Sequence, residues 1–339
     1  MAITIREIAE QAKVSETTVS RVLNNSPLVQ DKTKMRVEAV MREMNYSPSA
    51  AARALSNQKT STIAVIVPDI TNPFFSDVIS GISQIIKPSE YSLIFFDTNE
   101  NVSQEIKALN TALSYMVSGI IYCPQSETND VGEQINALKE RNMPIVFLDR
   151  EIQGLDCSGV FTDGYCGAYD AVSALIGAGN KTIAIIHGPV STHPGKSRLQ
   201  GYYDAMNDAG LLVSPSLVKA GDFKQESGYV LMKEILTESK LPDAVFSCNN
   251  LMSIGCLKAL EEFNLRIPED IAFAGFDELD RYGLLGEGLT VVTRDSEAMG
   301  REAAQFLLDE IHNLSQETKR VMQKTQLHIR GSEKKGEKL

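Results

Sequence analysis

The sequence predicts an α/β protein with two doubly wound lobes that follow a small, all-helical module. After residue 60, short apolar runs alternate with amphipathic helical patterns, from "TIAVIVPD" and "SLIFFDT" to "TIAIIHGP", "AVFSCNN" and "IAFAGFDE". Near-continuous apolar strands between such helices are typical of parallel sheets covered on both faces. Because the alternation runs twice, with a break near Thr162, we expect two Rossmann-like lobes with a ligand cleft at the carboxyl ends of their strands.

The charge is distributed unevenly along the 339 residues. The chain carries a net charge of -11, but residues 1 to 60 hold 9 basic and 6 acidic residues and are therefore at +3. The remainder holds 24 basic and 38 acidic residues and is at -14. This asymmetry predicts a small basic module that can bind a polyanion, attached to an acidic body.

Several classes of protein are disfavoured by what the sequence lacks. It shows no apolar run of membrane-spanning length and no basic segment followed by an apolar one at the N-terminus, so we expect a cytoplasmic protein. The histidines lack metal-ligand spacing and the cysteines form no C-x-x-C pair, so we expect no metal, no cofactor and no disulfide. The cysteines are instead expected to be buried or partly buried thiols: Cys123, Cys157, Cys166, Cys248 and Cys256.

The first 47 residues show the pattern of a helix-turn-helix. Thr4 and Glu7 have the spacing of a capping box before a first helix, and Ser15 is placed to cap a second helix after a turn of about four residues. A third helix is predicted from about Lys32 to Met44. The second helix exposes side chains that suit base edges and phosphates, namely Glu16, Thr17, Ser20 and Arg21. A plain helical bundle with a solvated polar face is the alternative.

The segment "SPSAAARALSNQKT" follows this module. Pro48 suits a helix start, and the alanines favour helix but offer little surface to bury. Because so short a helix is marginal alone, the segment is predicted to be a helix that can fold and unfold.

The stretches "TIREIAEQAKVSETTVSRVLNNSP" and "TKMRVEAVMREMNYSPSAAARALSNQKT" resemble the DNA-binding headpiece and hinge of the LacI/GalR family of bacterial transcription regulators, and the resemblance extends over about residues 2 to 332. It implies a fold like that of type I periplasmic binding proteins. It also implies base reading by Glu16, Thr17 and Arg21, and a minor-groove wedge at Leu55. Packing beneath the linker is the alternative for Leu55. The full implied DNA-binding set is Thr4, Ser15, Glu16, Thr17, Thr18, Ser20, Arg21, Asn24, Arg53 and Leu55.

The resemblance also implies an effector site at the strand ends. Its candidates are Asn72, Phe74, Phe75, Asp149, Arg150, Lys196, Arg198, Asn249, Asp277 and Arg294. A strand-end cap or an interlobe ion pair is the alternative for each. The sequence departs from the family where Asn250 replaces an acid and where Arg294 and Asp295 replace Gln and Pro. Together with Lys196 and Arg198, Arg294 predicts a cationic pocket and hence an anionic effector such as a sugar acid or sugar phosphate.

Two other functions deserve comparison. A transporter's solute-binding protein would share the body but has no use for the headpiece. A P-loop nucleotide enzyme is suggested by "GPVSTHPGKS", but Gly188 lies seven residues before Gly195, which is the wrong length for a phosphate-cradling turn. Neither a G-x-G-x-x-G turn nor a nucleophile triad is evident, so the protein is not expected to be an enzyme.

The sequence therefore predicts a ligand-responsive repressor of carbohydrate or sugar-acid utilisation genes, bound as a homodimer to a pseudo-palindromic operator in double-stranded DNA. We expect a headpiece at 1–47, a hinge at 48–60 and an effector-binding and dimerisation domain at 61–332. The N-lobe would comprise 61–161 and 293–323, and the C-lobe 162–292 and 324–332. The charged tail 333–339 is predicted to be disordered, and the absence of an apolar assembly helix favours a dimer over a tetramer.

Overall fold

The computed structural model describes residues 3–23, 26–46, 60–128, 130–279, 288–314 and 317–336. It divides into two compact units, Met1–Thr60 and Ser61–Leu339. Three predicted DNA contacts (Asn24, Arg53 and Leu55) lie outside the described residues, as does the hinge apart from Thr60. Within the described ranges, no helix is both long and apolar enough to span a membrane.

The first unit contains three helices: α1 (Ile5–Ala12), α2 (Glu16–Leu23) and α3 (Asp31–Glu43). The predicted capping box is present, because the Glu7 amide donates to Thr4 Oγ1 at 3.3 Å and the Thr4 amide donates to Glu7 Oε2 at 2.7 Å. The predicted cap on α2 is also present, with the Thr18 amide donating to Ser15 Oγ at 3.2 Å. The three helices are held together by a small core that includes Ile8, Val19 and Val37.

The second unit is built from two six-stranded sheets. The N-lobe sheet has the order β11-β5-β4-β3-β1-β2, and all its neighbouring strands are parallel. Its strands are β1 (Thr62–Val67), β2 (Ser92–Asp97), β3 (Gly119–Tyr122), β4 (Ile145–Leu148), β5 (Gly159–Thr162) and β11 (Arg320–Gln323). The C-lobe sheet has the order β12-β10-β9-β8-β6-β7, in which only the β10–β12 pair is antiparallel. Its strands are β6 (Ile183–His187), β7 (Val218–Ala220), β8 (Ala244–Ser247), β9 (Ala272–Phe276), β10 (Thr290–Thr293) and β12 (Gln326–His328).

Helices cover both faces of each sheet, which explains why the central strands, such as β1, β3, β4, β6, β8 and β9, are apolar and buried almost throughout. In β1, Ile63 and Val65 pack into one core cluster while Ala64 and Ile66 pack into another, because successive side chains of a strand point to opposite faces. The helices are α4 (Pro73–Ile86), α5 (Val102–Ser114), α6 (Gly132–Glu140), α7 (Gly164–Gly177), α8 (His193–Asp208), α9 (Gln225–Leu236), α10 (Asn250–Glu262) and α11 (Ser296–Ile311). A short 3₁₀ turn spans Pro215–Leu217. The predicted α/β fold with two lobes and a helical N-terminal module is confirmed.

The chain crosses between the lobes three times: after β5, after β10 and after β11. Two of the crossing segments are joined, because the Asp163 amide donates to the Gln323 carbonyl at 2.9 Å. The last described residues pack against the C-lobe. Glu333, which the sequence assigns to a disordered tail, is 3% exposed and accepts a hydrogen bond from the Thr290 hydroxyl at 2.5 Å. Residues 333–336 thus differ from the expected disorder, because a buried carboxylate with a hydroxyl donor fixes their start.

Candidate functional site

A cavity lies between the lobes at the carboxyl ends of the strands. Its walls combine aromatic rings, amides and a high density of charged groups. The lining residues are Asp69, Asn72, Phe74, Phe75, Glu100, Asp149, Arg150, Pro194, Arg198, Asp222, Phe223, Lys224, Asn249, Asp277 and Arg294. Concave, partly aromatic surfaces with a few convergent polar groups are typical of small-molecule sites.

The N-lobe wall is positioned by the loop from β1 to α4. Asn72 caps α4 by accepting from the Phe74 amide at 3.0 Å, and Pro73 supplies the first helical residue. This cap directs two consecutive aromatic residues to the cleft, where the Phe74 and Phe75 rings meet edge to face with centroids 4.8 Å apart.

The C-lobe wall is built around a buried arginine. Arg198 lies on α8, is 1% exposed, donates to the Cys248 carbonyl at 2.5 Å and stacks on the Phe276 ring at 3.6 Å. Its Nε has no hydrogen-bond partner. Among the described residues, Arg198 forms no ion pair. Burial and repulsion from Arg294 lower the Arg198 pKa to about 10, so it remains protonated at neutral pH.

Asn249 connects two parts of the same wall. Its Oδ1 accepts from the Met252 amide at 2.9 Å and so caps α10, while its Nδ2 donates to the Phe223 carbonyl at 2.8 Å. The amide therefore holds the loop after β7 against the start of α10.

The two other cleft arginines are paired with carboxylates. Arg150 binds Glu100 through both terminal nitrogens, at 2.7 and 2.8 Å. Arg294 binds Asp149 at 2.5 Å and Asp277 at 2.8 and 3.2 Å. Although burial opposes ionisation of Asp149, the guanidinium of Arg294, followed by those of Arg198 and Arg150, lowers its pKa.

Three residues of the cleft have left-handed backbone conformations that L-residues rarely adopt. The φ angles are 60° at Asp149, 68° at Phe223 and 67° at Asp277. Such residues cost on the order of 1–3 kcal/mol each and persist where the surrounding structure holds them. The close approach of the Phe223 ring to Gly188 requires a glycine, because a Cβ there would lie 2.0 Å from the ring.

The lobes are in direct contact across the cleft. The Asn250 Nδ2 donates to Asn72 Oδ1 at 3.1 Å, and the Lys224 ammonium donates to Asn99 Oδ1 at 3.0 Å. The Arg150 guanidinium of the N-lobe lies 5.3 Å from the centre of the Phe223 ring. Each contact joins residues from opposite lobes, so the cleft is in a closed conformation.

Nine of the ten predicted effector residues line the cleft, and Lys196 does not. Lys196 is exposed on α8, whereas Pro194 and Arg198 are buried. Two residues along a helix are about 200° apart, so a helix that turns Arg198 inward turns Lys196 outward. The inference of a cationic pocket also needs correction, because the Arg294 charge is matched by two aspartates.

Six lining residues are absent from the predicted effector set: Asp69, Glu100, Pro194, Asp222, Phe223 and Lys224. The last three follow β7, a three-residue strand too short to recognise by its pattern. The rule that ligands bind where parallel strands end would have identified Glu100, which follows β2.

The segment that resembles a P-loop forms a different structure. Thr192 caps α8 by accepting from the Gly195 amide at 3.2 Å, so Gly195 lies within the first turn of the helix. A Cβ at Gly195 would lie 2.1 Å from the Pro189 carbonyl oxygen. The glycine therefore serves close backbone packing.

In the first unit, α2 presents a polar face. Glu16, Thr17 and Arg21 are exposed, whereas Val19 and Val22 are buried against the other helices. Thr18 and Ser20 are half-buried, and Thr4 and Ser15 are exposed at the starts of their helices. This arrangement leaves Glu16, Thr17 and Arg21 accessible on one face of α2. Among the described residues, no group of His, Cys, Asp or Glu is placed to hold a metal ion.

Together, the two units define a protein that couples a helix-turn-helix to a two-lobed domain with a small-molecule cleft. The profile described as "Bacterial regulatory proteins, lacI family" matches residues 4–49, and that described as "Periplasmic binding proteins and sugar binding domain of LacI family" matches residues 60–331. The chain belongs to the LacI family and is a DNA-binding transcriptional repressor rather than an enzyme.

Relatives with known names agree with this assignment. The chain is 33% identical to the HTH-type transcriptional repressor PurR of Pasteurella multocida, over 98% of both chains. It is 31% identical to the ribose operon repressor of Haemophilus influenzae, over 91% of this chain and 92% of the relative. A lac repressor dimer bound to operator and an anti-inducer is similar with a TM-score of 0.81 and 25% identity, over 98% of this chain and 99% of that one. The regulator CelR in complex with cellobiose is similar with a TM-score of 0.73 and 29% identity, over 97% and 99%.

Proposed function

We propose that this repressor binds a pseudo-palindromic operator as a homodimer and controls genes for the use of carbohydrates or sugar acids. The observation that carries the proposal is the presence, on one chain, of an exposed polar α2 face and a closed cleft with a buried guanidinium. In this proposal the cleft binds the effector in the cytoplasm. Effector binding then shifts operator affinity to the extent that the effector prefers one arrangement of the lobes.

The effector class we propose is a sugar acid or sugar phosphate. Arg198 carries a buried charge with no ion pair in the described part of the chain, and its Nε has no partner. Lys224 adds a second cation at the cleft. Carboxylate and phosphate oxygens match a guanidinium geometrically and would supply the missing acceptor.

A neutral saccharide is the second candidate. The Phe75 and Phe223 rings line the cleft, and the related regulator CelR is known in complex with cellobiose. If the effector is a neutral saccharide, uncharged sugars should bind to the cleft, and the ligand should not need a carboxylate or phosphate group.

The test is operator binding by the full-length protein, with an operator selected from a pool of palindromic DNA. Thermal shift and fluorescence anisotropy would then be measured with D-gluconate, D-ribose 5-phosphate, D-ribose and cellobiose. We expect an anionic ligand to raise the melting temperature, because a ligand of the native state stabilises it by mass action, and to change operator affinity.

The matched variants are Arg198→Lys and Lys196→Ala. The first should weaken anion binding on the order of tenfold, since an ammonium lacks the fork of a guanidinium. The second should bind normally, because Lys196 faces away from the cleft on the same helix. Tight binding of neutral sugars without binding of either anion would refute the effector class, and failure to select any operator would refute the regulator itself.

A further inference from the structure

Arg294 occupies an unusual position for a charged residue. It directly follows β10, in a segment that crosses between the lobes, yet its side chain is only 3% exposed and lies in the cleft. Its guanidinium carbon lies 3.5 Å from the centre of the Phe74 ring. A side chain from a segment that crosses between the lobes therefore covers an aromatic face that a ligand could otherwise contact.

The same guanidinium connects the two lobes. Its Nη1 binds Asp149, which follows β4 of the N-lobe, at 2.5 Å, and Thr162 Oγ1 at 2.9 Å. Its Nε and Nη2 bind the two oxygens of Asp277, which follows β9 of the C-lobe, at 2.8 and 3.2 Å. Although burial opposes the charge, Asp149 and then Asp277 raise the Arg294 pKa, so the bridge persists at physiological pH.

Arg294 also divides the space between the lobes. A second cavity adjoins the cleft, and Phe74, Asp277 and Arg294 line both. The second cavity is otherwise lined by residues such as Asp77, Asn250 and Ser296.

The three buried arginines thus have different roles. Arg150 is held by Glu100 and Arg294 by two aspartates, whereas Arg198 has a carbonyl and a ring as partners. Two of the carboxylates that line the cleft, those of Asp149 and Asp277, are engaged by Arg294. The Nε of Arg198 has no acceptor.

We propose that Arg294 is a tethered occupant of the cleft that sets its ligand class. Its guanidinium occupies the positions on Asp149, Asp277 and Phe74 that a ligand could otherwise contact. It also holds the two lobes together when no effector is bound. The remaining site then selects ligands that carry many hydrogen-bond acceptors. The inference rests on the proposed function of the cleft as the effector site. It adds that one residue disfavours neutral sugars by engaging two carboxylates, those of Asp149 and Asp277, that would otherwise accept hydrogen bonds from sugar hydroxyls.

The experiment compares the full-length protein with Arg294→Gln, which keeps a polar side chain without the charge and the fork. Arg294→Lys keeps the charge but loses the planar fork that serves both aspartates. Arg301→Gln is the control, since Arg301 is a partly exposed arginine on the neighbouring α11 that pairs with Glu297. Circular dichroism establishes that each variant is folded.

Hydrogen exchange without ligand is the first readout. In Arg294→Gln, peptides that contain Asp149, Phe74 and Asp277 should exchange faster than in the wild-type protein, because the bridge between the lobes is lost. Arg294→Lys should be intermediate and Arg301→Gln unchanged. If Arg294→Gln does not fold, the comparison of Arg294→Lys with the wild-type protein decides the same question.

Calorimetry with D-ribose and D-ribose 5-phosphate is the second readout. Arg294→Gln should bind ribose on the order of tenfold tighter than the wild-type protein does, and should lose preference for the phosphate. The inference is overturned if a folded Arg294 variant shows wild-type exchange, or if its ribose affinity does not rise. If the inference about Arg294 fails but the wild-type protein binds operator normally, the proposed function as a regulator still stands. If the wild-type protein does not bind operator, the proposed function itself is refuted.

Discussion

Individual residues show where burial and charge conflict in this protein. Glu105 on α5 is 3% exposed, and its Oε1 accepts from the Tyr122 hydroxyl at 2.6 Å and the Gln125 amide at 2.9 Å. Burial raises the Glu105 pKa, and the bonds from Tyr122 and Gln125 only partly oppose the effect. A carboxyl whose pKa is higher in the folded state binds protons preferentially there, so its contribution to stability is lost as the pH rises through that pKa.

Glu105→Gln should therefore stabilise the protein at pH 7. The glutamine Oε1 can accept the same two hydrogen bonds without carrying a buried charge. The gain should shrink as the pH falls toward about 4.3, the ordinary value for a glutamate, where the wild-type carboxyl is protonated when folded. Urea unfolding at pH 7 and pH 5 measures the difference. Glu140→Gln, at an exposed position on α6, should have little effect. Equal destabilisation by Glu105→Gln at both pH values would contradict the prediction.

For individual residues, the sequence predicts which side chains line the cleft better than it predicts which of them form ion pairs with one another. Strand ends identify Asp149, Asp277 and Arg294, because parallel strands place their carboxyl ends along one edge. The pairing of Arg294 with both aspartates depends on side-chain directions across two lobes, which no local pattern encodes. The prediction that Lys196 lines the cleft is wrong because it depends on the residue at which α8 begins. A shift of two residues in that start changes which side chains of the helix face inward.

At the scale of elements, helix pairs approach each other through glycines. A Cβ at Gly300 of α11 would lie 2.1 Å from the Val78 carbonyl oxygen of α4, and one at Gly81 would lie 2.0 Å from the Glu297 carbonyl oxygen. The same holds for α9 and α10, where Gly228 faces the Met252 backbone. These contacts allow the helices to pack closely over the sheets.

Gly300→Ala should destabilise the protein by about 1–3 kcal/mol, because the added methyl group meets backbone that cannot move aside. Gly177→Ala is the matched control, since Gly177 ends α7, is exposed and has no atom within 4 Å of an added Cβ. The control should be neutral or stabilising by up to about 1 kcal/mol through helix propensity. Both are measured by urea unfolding. Similar losses in the two variants would show that backbone preference, not close packing, explains these glycines.

Long helices and strands can be predicted from the sequence more readily than short ones. The core strands and amphipathic helices are evident because apolar periodicity extends over many residues. β7, with three residues and no fully buried side chain, carries no such signal, and the lining residues Asp222, Phe223 and Lys224 were missed with it. Close helix contacts at Gly81 and Gly300 are also invisible locally, because a glycine in a helical pattern reads only as a weak helix former.

At the scale of the whole molecule, the charge distribution distinguishes the DNA-binding part of the chain from the effector-binding body. The first 60 residues are basic and the rest is strongly acidic. The acidic body disfavours contact with a polyanion, so DNA affinity should depend on the headpiece and the hinge and should be sensitive to salt. Arg21, exposed on the polar face of α2, is expected to read bases rather than only phosphates.

Operator affinity should therefore fall by roughly 10³-fold or more between about 50 and 200 mM salt. Binding releases counterions from several phosphates, and this release favours binding less when the salt concentration is higher. Arg21→Ala should reduce discrimination between operator and random DNA by about 1–3 kcal/mol while changing the salt slope by no more than about one. Arg301→Gln, on the body, should alter neither quantity. Fluorescence anisotropy across a salt series measures both. A shallow slope in the wild-type protein would mean that few phosphates are neutralised and would contradict the first prediction. A slope that the Arg301 variant changes as much as the Arg21 variant does would mean that the body takes part in binding DNA.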